Sequence, residues 1–200
     1  KKKQKPVRII AGKHRGRSLV LPEGSDIRPT ADRVREAMFN SLCHGNARIG
    51  EGDAVRGAIV LDGFAGTGAL GLETVSRGAT HVTLMERNHA ALSLCRDNVE
   101  TLNEQDRVTV LGGDCLAPVR AAQPCDLIFL DPPYRSGAAG DALAALARTG
   151  WIAPGALCVV ELAAKEPFTP PADAELLDER RYGTARVVFL RWANEAVHPT

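Results

Sequence analysis

No run of this sequence approaches the roughly 20 apolar residues of a membrane-spanning helix, and no hydrophobic segment behind a basic leader reads as a secretory signal. A cytoplasmic protein with no membrane contact is expected. The five cysteines, Cys43, Cys95, Cys115, Cys125 and Cys158, are odd in number, scattered and without a C-x-x-C pair. That argues against a disulfide framework and a structural zinc site, and fits reduced thiols. A surplus of one charge is also missing: 25 Lys and Arg stand against 24 Asp and Glu, a formal net charge of +1. The molecule as a whole is therefore not a polycation that coats nucleic acid. Aromatic residues are few, at 4%, and there are no internal repeats. What remains, 200 residues of which 44% are hydrophobic, suits one globular domain with a small appendage.

The charge that is present is unevenly spread. Lys1, Lys2, Lys3, Lys5, Arg8, Lys13, Arg15 and Arg17 occupy residues 1–17 with no acid among them, and Arg28, Arg33 and Arg35 follow. A basic arm on a near-neutral body fits a local phosphate-binding surface, against the alternative of a solvated leader.

Residues 7–11 and 17–21 read as short β-runs bracketing Gly12 and Gly16, which predicts a hairpin. A helix is expected from Ala31 to Cys43 with Thr30 as its N-cap. After a polar stretch over 45–57, strands and helices alternate. Strands are expected at 58–61, 81–85, 108–111, 127–130 and 157–162, and helices after the glycine turn and over 90–102, 116–121 and 141–148. Two further strands, 174–180 and 186–192, flank Tyr182-Gly183. Strand-helix alternation predicts a parallel, doubly wound sheet, and the terminal pair predicts an antiparallel edge. The pattern resembles the Rossmann-like layout of class I methyltransferases, which implies a seven-stranded, mostly parallel sheet of order 3-2-1-4-5-7-6 with helices on both faces, here with an N-terminal hairpin and helix added. The expected boundaries are 1–45 for the extension and 46–200 for the α/β domain.

Gly66-Thr67-Gly68-Ala69-Leu70-Gly71 matches G-x-G-x-x-G between a strand and a helix, and Glu86 closes the next strand. Both features also occur in dinucleotide-binding sites, because a carboxylate on a ribose diol serves either ligand. Two acids favour S-adenosylmethionine. Asp62, at the end of the strand before the loop, suits a ligand carrying a sulfonium and an ammonium rather than a pyrophosphate. Asp114, in the loop after the third strand, can accept from an adenine amino group. The expected cofactor-binding set is Asp62, Ala65, Gly66, Thr67, Gly68, Glu86, Arg87, Asp114 and Cys115; no metal is expected.

Asp131-Pro132-Pro133-Tyr134 follows the fourth strand and is the most specific signal in the chain. In a 3-2-1-4-5 order it faces the glycine loop across the switch-point crevice. An aryl amine is a poor nucleophile because its lone pair is delocalised into the ring. The Asp131 carboxylate and the Pro132 carbonyl can each accept one N–H, which turns the lone pair toward a methyl donor and favours the charge that develops on nitrogen. Consecutive prolines stiffen the loop, and Tyr134 offers a ring on which a base can stack. On this reading only the ring of Tyr134 is needed. No catalytic role is expected for any of the five histidines.

With these residues the chain resembles class I methyltransferases that modify exocyclic amines. Arg8-Ile9-Ile10-Ala11-Gly12, Arg15-Gly16-Arg17 and Arg28-Pro29-Thr30-Ala31-Asp32-Arg33-Val34-Arg35-Glu36 narrow the resemblance to the RsmD family, bacterial 16S ribosomal RNA guanine-N2 methyltransferases. The likeness spans about Val7 to Trp192; the tail beyond matches nothing, and Thr67 stands where the family often has Ser. It implies a guanine in 16S rRNA as substrate, on a largely assembled small subunit. It further implies RNA contacts by Arg8, Lys13, Arg15, Arg17, Arg28, Thr30, Arg33 and Arg35. A monomer is expected, with S-adenosylhomocysteine as the cofactor product. The tetrapeptide does not itself read the base. Transfer to adenine N6 in RNA or DNA stays open, although a DNA enzyme would need a recognition insertion that no segment here is long enough to supply. A nicotinamide-dependent oxidoreductase is the alternative from the glycine loop and Glu86, and a non-catalytic RNA-binding assembly factor a third.

Overall fold

The computed structural model describes residues 6–23, 29–45 and 48–193. In chain order the elements are α1 (Pro29–His44), β1 (Ile59–Gly63), α2 (Ala69–Ser76), β2 (His81–Glu86), α3 (His89–Leu102), β3 (Val108–Gly112), β4 (Cys125–Leu130), α4 (Ala138–Arg148), β5 (Ile152–Ala163), β6 (Ala174–Tyr182) and β7 (Ala185–Trp192). The sheet order is β3-β2-β1-β4-β5-β7-β6, the order expected from the resemblance to class I methyltransferases. β1 to β5 pair in parallel, and β7 runs antiparallel to both β5 and β6.

The central strands are largely apolar because both of their faces are covered. In β4, Leu127 and Phe129 join a core built with Met38, Phe39 and Leu42 of α1, Leu72 and Val75 of α2, and Val99 and Leu102 of α3. Ile128 and Leu130 point the other way and pack against Ala142, Leu143 and Leu146 of α4. Asn88 caps α3, its side chain accepting from the Ala90 and Ala91 amides, and Asn103 ends the helix in the left-handed region. No helix among the described residues is long and apolar enough to cross a membrane.

Four local expectations are corrected. The N-terminal hairpin is one antiparallel bridge, Arg8 to Ser18, extended by backbone hydrogen bonds from Ile9 to Arg17 and from Leu19 to Val7. Its amides turn instead to α2: Ile10 and Ala11 donate to the Glu73 carboxylate at 2.8 and 3.0 Å. Thr30 lies inside α1 rather than before it, since Pro29 already has the fixed φ of a first helical position. The helix expected over 116–121 is absent. Pro118 lacks a donor, the Val119 carbonyl accepts from Trp151 Nε1 at 2.8 Å, and the Ala121 amide donates to Thr149. β5 begins at Ile152, ahead of the expected Leu157, running through an irregularity in its pairing with β4.

Candidate active site

The carboxyl ends of β1, β2, β4 and β5 open onto a cavity of about 640 Å3. Its walls include Phe64, Gly66, Met85, Glu86, Arg87, Asn88, Gly113, Asp114 and Cys115 on one side and Asp131, Pro132, Pro133, Tyr134 and Glu161 on the other. A cavity of this size accommodates a nucleoside-sized ligand.

The glycine loop owes its shape to its neighbours. Gly68 has φ +81°, and a Cβ there would lie 2.8 Å from Leu84 Cδ1. At Gly63 a Cβ would lie 2.7 Å from Cys115 Sγ and 2.8 Å from Leu130 Cδ2. Both positions need glycine because the loop passes directly over β2 and β4. From the α3 side, Asn98 Nδ2 holds the Thr67 carbonyl at 2.9 Å and Cys95 Sγ meets the Gly66 carbonyl at 3.0 Å. Glu86 closes the loop from β2. One of its oxygens accepts from the Gly66 amide at 2.9 Å and the other from the Asn88 amide at 2.7 Å. Each oxygen retains a lone pair for a ligand hydroxyl.

The remaining expected cofactor residues are distributed unevenly. Glu86, Arg87, Asp114, Cys115 and Gly66 line the cavity, whereas Asp62, Ala65, Thr67 and Gly68 do not. Asp62 lies beneath the loop, 1% exposed, and accepts from the Gly71 amide at 2.8 Å. Burial pushes its pKa up to about 7; the Gly71 hydrogen bond opposes the rise and Glu86 adds to it. Arg87 pairs with Asp114 at 3.3 Å, while the other Asp114 oxygen caps the Leu116 amide. Burial pushes the Cys115 thiol up to about 12, leaving it an apolar, unreactive wall.

Asp131 leaves β4 at the cavity edge, and Pro132 behind it is buried. Asp131 has an open path to solvent, yet the cleft walls crowd its carboxyl. Its pKa is raised well above the carboxylate range, first by desolvation, then by Glu161 and Asp62. Glu161 on β5 is the site residue that sequence reasoning missed. Leu130 is in register with Val160, so the next residues, Asp131 and Glu161, stand side by side on one face. Glu161 accepts from the Tyr134 hydroxyl at 2.9 Å. Burial raises its pKa and the Tyr134 bond lowers it in part. Just beyond the tetrapeptide, Arg135 holds φ +61°. Buried Glu166 latches this turn, accepting from the Arg135 and Gly137 amides at 2.8 and 3.3 Å.

Among the described residues, no Lys or Arg forms an ion pair with Asp62, Glu86, Asp131 or Glu161. Among the described residues lining the cavity, Asp114 pairs with Arg87 whereas Glu86, Asp131 and Glu161 face it without a basic partner, a balance that favours a positively charged ligand.

The expected RNA-contact residues do not gather at this cavity. Lys13 Nζ pairs with Glu104 at 3.0 Å, and Arg17 donates to the Thr101 carbonyl at 2.8 Å. Both partners sit at or just past the C-terminal end of α3, which leads to the edge strand β3, whereas Asp131 follows the central strand β4. Arg8 donates to the Gly16 carbonyl, and Arg15 and Arg33 are exposed. Arg35 is corrected to an internal role: it is buried, donating to the Arg8 carbonyl at 2.6 Å, and desolvation lowers its pKa. Arg28 and Lys1 to Lys5 lie outside the described residues, and Thr30 is described only as part of α1.

Comparison with known proteins places this geometry. A family described as Conserved hypothetical protein 95 matches residues 7–191. The ribosomal RNA small subunit methyltransferase D of Escherichia coli is 35% identical over 191 residues, 95% of this chain and 91% of that protein. The protein of the same name from Haemophilus influenzae is 35% identical over 181 residues, 88% of this chain and 89% of its own. The solved structure of the E. coli protein yhhF, a methyltransferase by its description, superposes with a TM-score of 0.79 at 35% identity, covering 96% of this chain and 100% of that one.

Proposed function

The chain belongs to the Conserved hypothetical protein 95 family, that of the RsmD-type ribosomal RNA small subunit methyltransferases, and on that premise we propose that it methylates the N2 amine of a guanine in small-subunit ribosomal RNA from S-adenosylmethionine. One observation carries the reading: Glu86 and Asp114 share a single cavity with Asp131, Pro132 and Tyr134. The first pair suits an adenosine and the second group suits an amine on a flat base.

The donor set fits S-adenosylmethionine. Glu86 holds the ribose hydroxyls with the lone pairs left by the Gly66 and Asn88 amides, and Asp114 accepts from the adenine amine. Ala65, Thr67, Gly68, Arg87 and Cys115 shape the pocket around them. Asp62 adds negative charge from below rather than by contact. When bound, S-adenosylmethionine supplies a methyl group on a positively charged sulfur. On the other wall Asp131 and the Pro132 carbonyl each accept one N–H of the target amine, and Tyr134 stacks on the base. Asp131 favours the charge developing on nitrogen only when ionised, and a positive ligand in the cavity lowers its raised pKa. Positioning and charge complementarity supply the rate.

Residues 1–45 act as the RNA-binding extension of a methyltransferase domain over 46–200. RNA contact belongs to Arg28, Thr30 and Arg33 more than to Lys13 and Arg17, whose partners lie where α3 leads to the edge strand β3. The chain works as a monomer on an assembled or nearly assembled small subunit. The test is to incubate it with labelled S-adenosylmethionine and small subunits from cells lacking the enzyme, then digest the RNA to nucleosides. N2-methylguanosine is expected; label on adenosine, or none with any form of the RNA, would overturn the reading.

A further inference from the structure

Glu161 has no part in the chemistry argued so far, yet it occupies a demanding position. It is a carboxylate at the end of a central, otherwise apolar strand, in the sequence Val159-Val160-Glu161-Leu162. Val159, Val160 and Leu162 are buried, so the strand offers Glu161 no polar company of its own. The Tyr134 hydroxyl donates to its Oε1. A carboxylate has about four lone-pair sites, so acceptor capacity remains toward the cavity. The β4–β5 register sets it beside Asp131, the group assigned to the amine. Two carboxylates held side by side repel, and such an arrangement persists where a ligand offers adjacent donors to both.

Guanine offers that pattern. Along its Watson–Crick edge the N1–H lies next to the N2 amine, so three N–H donors stand in a row. Adenine offers an amine and, beside it, N1 as an acceptor. A carboxylate facing N1 therefore attracts guanine and repels adenine, which makes it a means of rejection as well as of binding.

We infer that Glu161 is the base-specificity residue, accepting the guanine N1–H while Asp131 and the Pro132 carbonyl hold the neighbouring N2 amine. The inference rests on the guanine-N2 reading. It gives the Tyr134 hydroxyl a purpose too: by donating to Oε1 it fixes the rotamer of Glu161 and directs the other oxygen at the base. Tyr134 thus stacks on the base with its ring and orients the base reader with its hydroxyl.

The test uses small subunits reconstituted with RNA in which the methylated guanosine is replaced by 2,6-diaminopurine or 2-aminopurine. Both analogues keep the 2-amine but have an acceptor at N1, and they differ from each other at position 6. The wild-type protein is expected to favour guanine over each analogue by about 10²-fold in kcat/KM, the scale of one lost hydrogen bond to a charged acceptor. In Glu161→Gln the amide oxygen can keep the Tyr134 hydroxyl and the NH2 then faces N1, so the ratio is expected to fall to unity or below. An unchanged ratio in Glu161→Gln would overturn the inference. So would a wild-type ratio near one, which requires no variant to fold. Either result leaves the guanine-N2 reading standing; that reading fails separately, if the product on unmodified subunits is not N2-methylguanosine.

Discussion

Residues at the Asp131 wall of the cavity do more than their types announce. Asp131-Pro132-Pro133-Tyr134 was legible because its chemistry is contiguous in sequence: acceptor, stiff loop and ring follow one another. Glu161 was not, because an acid inside an apolar run is ambiguous until the β4–β5 register sets it beside Asp131. The sequence alone makes Tyr134→Phe nearly silent, since the ring survives. The hydrogen bond to Glu161 changes that expectation. Tyr134→Phe is expected to lower kcat/KM about tenfold, the scale of one hydrogen bond to a charged group, and Tyr134→Ala further by ~1–3 kcal/mol of lost stacking. Steady-state kinetics on small subunits checks this; wild-type kinetics in Tyr134→Phe would leave the hydroxyl without a function.

Among the elements, the alternation of strands and helices was plain because β1, β2 and β4 are short apolar runs punctuated by glycine and acid. Less visible was how the N-terminal strap is held. Glu73, in the middle of α2 and fully buried, accepts from the Ile10 and Ala11 amides and from Arg77 Nε at 2.8 Å. Arg77 in turn stacks over Phe39 of α1, 4.8 Å from the ring centroid. Nothing in a G-A-L-G-L-E run reveals a partner more than 60 residues away. At the strap's other end, His14 Nε2 meets Glu104 at 2.5 Å, both buried. Glu73→Ala leaves two amides and a buried guanidinium without their acceptor. It is expected to cost about 3–5 kcal/mol in denaturant unfolding, with Glu73→Gln costing less. Equal stability of Glu73→Ala and wild type would contradict this role.

At the scale of the whole molecule, the net charge of +1 conceals two fields: a basic N-terminal segment and an acidic cavity. Their pH signatures differ in sign. Asp62 has its pKa raised from 3.8 to about 7, and Asp131 and Glu161 are also raised, so the folded protein holds extra protons. That contribution is complete below pH 4 and is lost as pH rises toward 7 and beyond. Glu104 runs the other way. Burial alone would raise its pKa, but hydrogen bonds from His14 and Lys13 outweigh this and lower it. Its contribution is present above its ordinary value of 4.5 and is lost as pH falls through the depressed value. The unliganded protein is therefore expected to lose Tm between pH 5 and 8, and the rise in Tm on adding S-adenosylmethionine should be larger at pH 8 than at pH 5. S-adenosylhomocysteine lacks the sulfonium charge and should show less of this dependence. Thermal unfolding with each ligand at both pH values checks it; identical shifts at pH 5 and 8 would remove the buried Asp62 charge from cofactor binding.

These scales meet in the proposed division of labour between the cavity walls, with Glu86 and Asp114 assigned to the cofactor and Asp131 to the target amine. The most direct test is Asp131→Ala, assayed for S-adenosylmethionine affinity by calorimetry and for N2-methylguanosine formed on unmodified small subunits. Affinity is expected to stay near wild type while kcat falls about 10²–10³-fold, with Asp131→Asn in between because an amide oxygen accepts without charge. Wild-type turnover by Asp131→Ala, or a loss of cofactor affinity that accounts for the lost activity, would contradict the assignment.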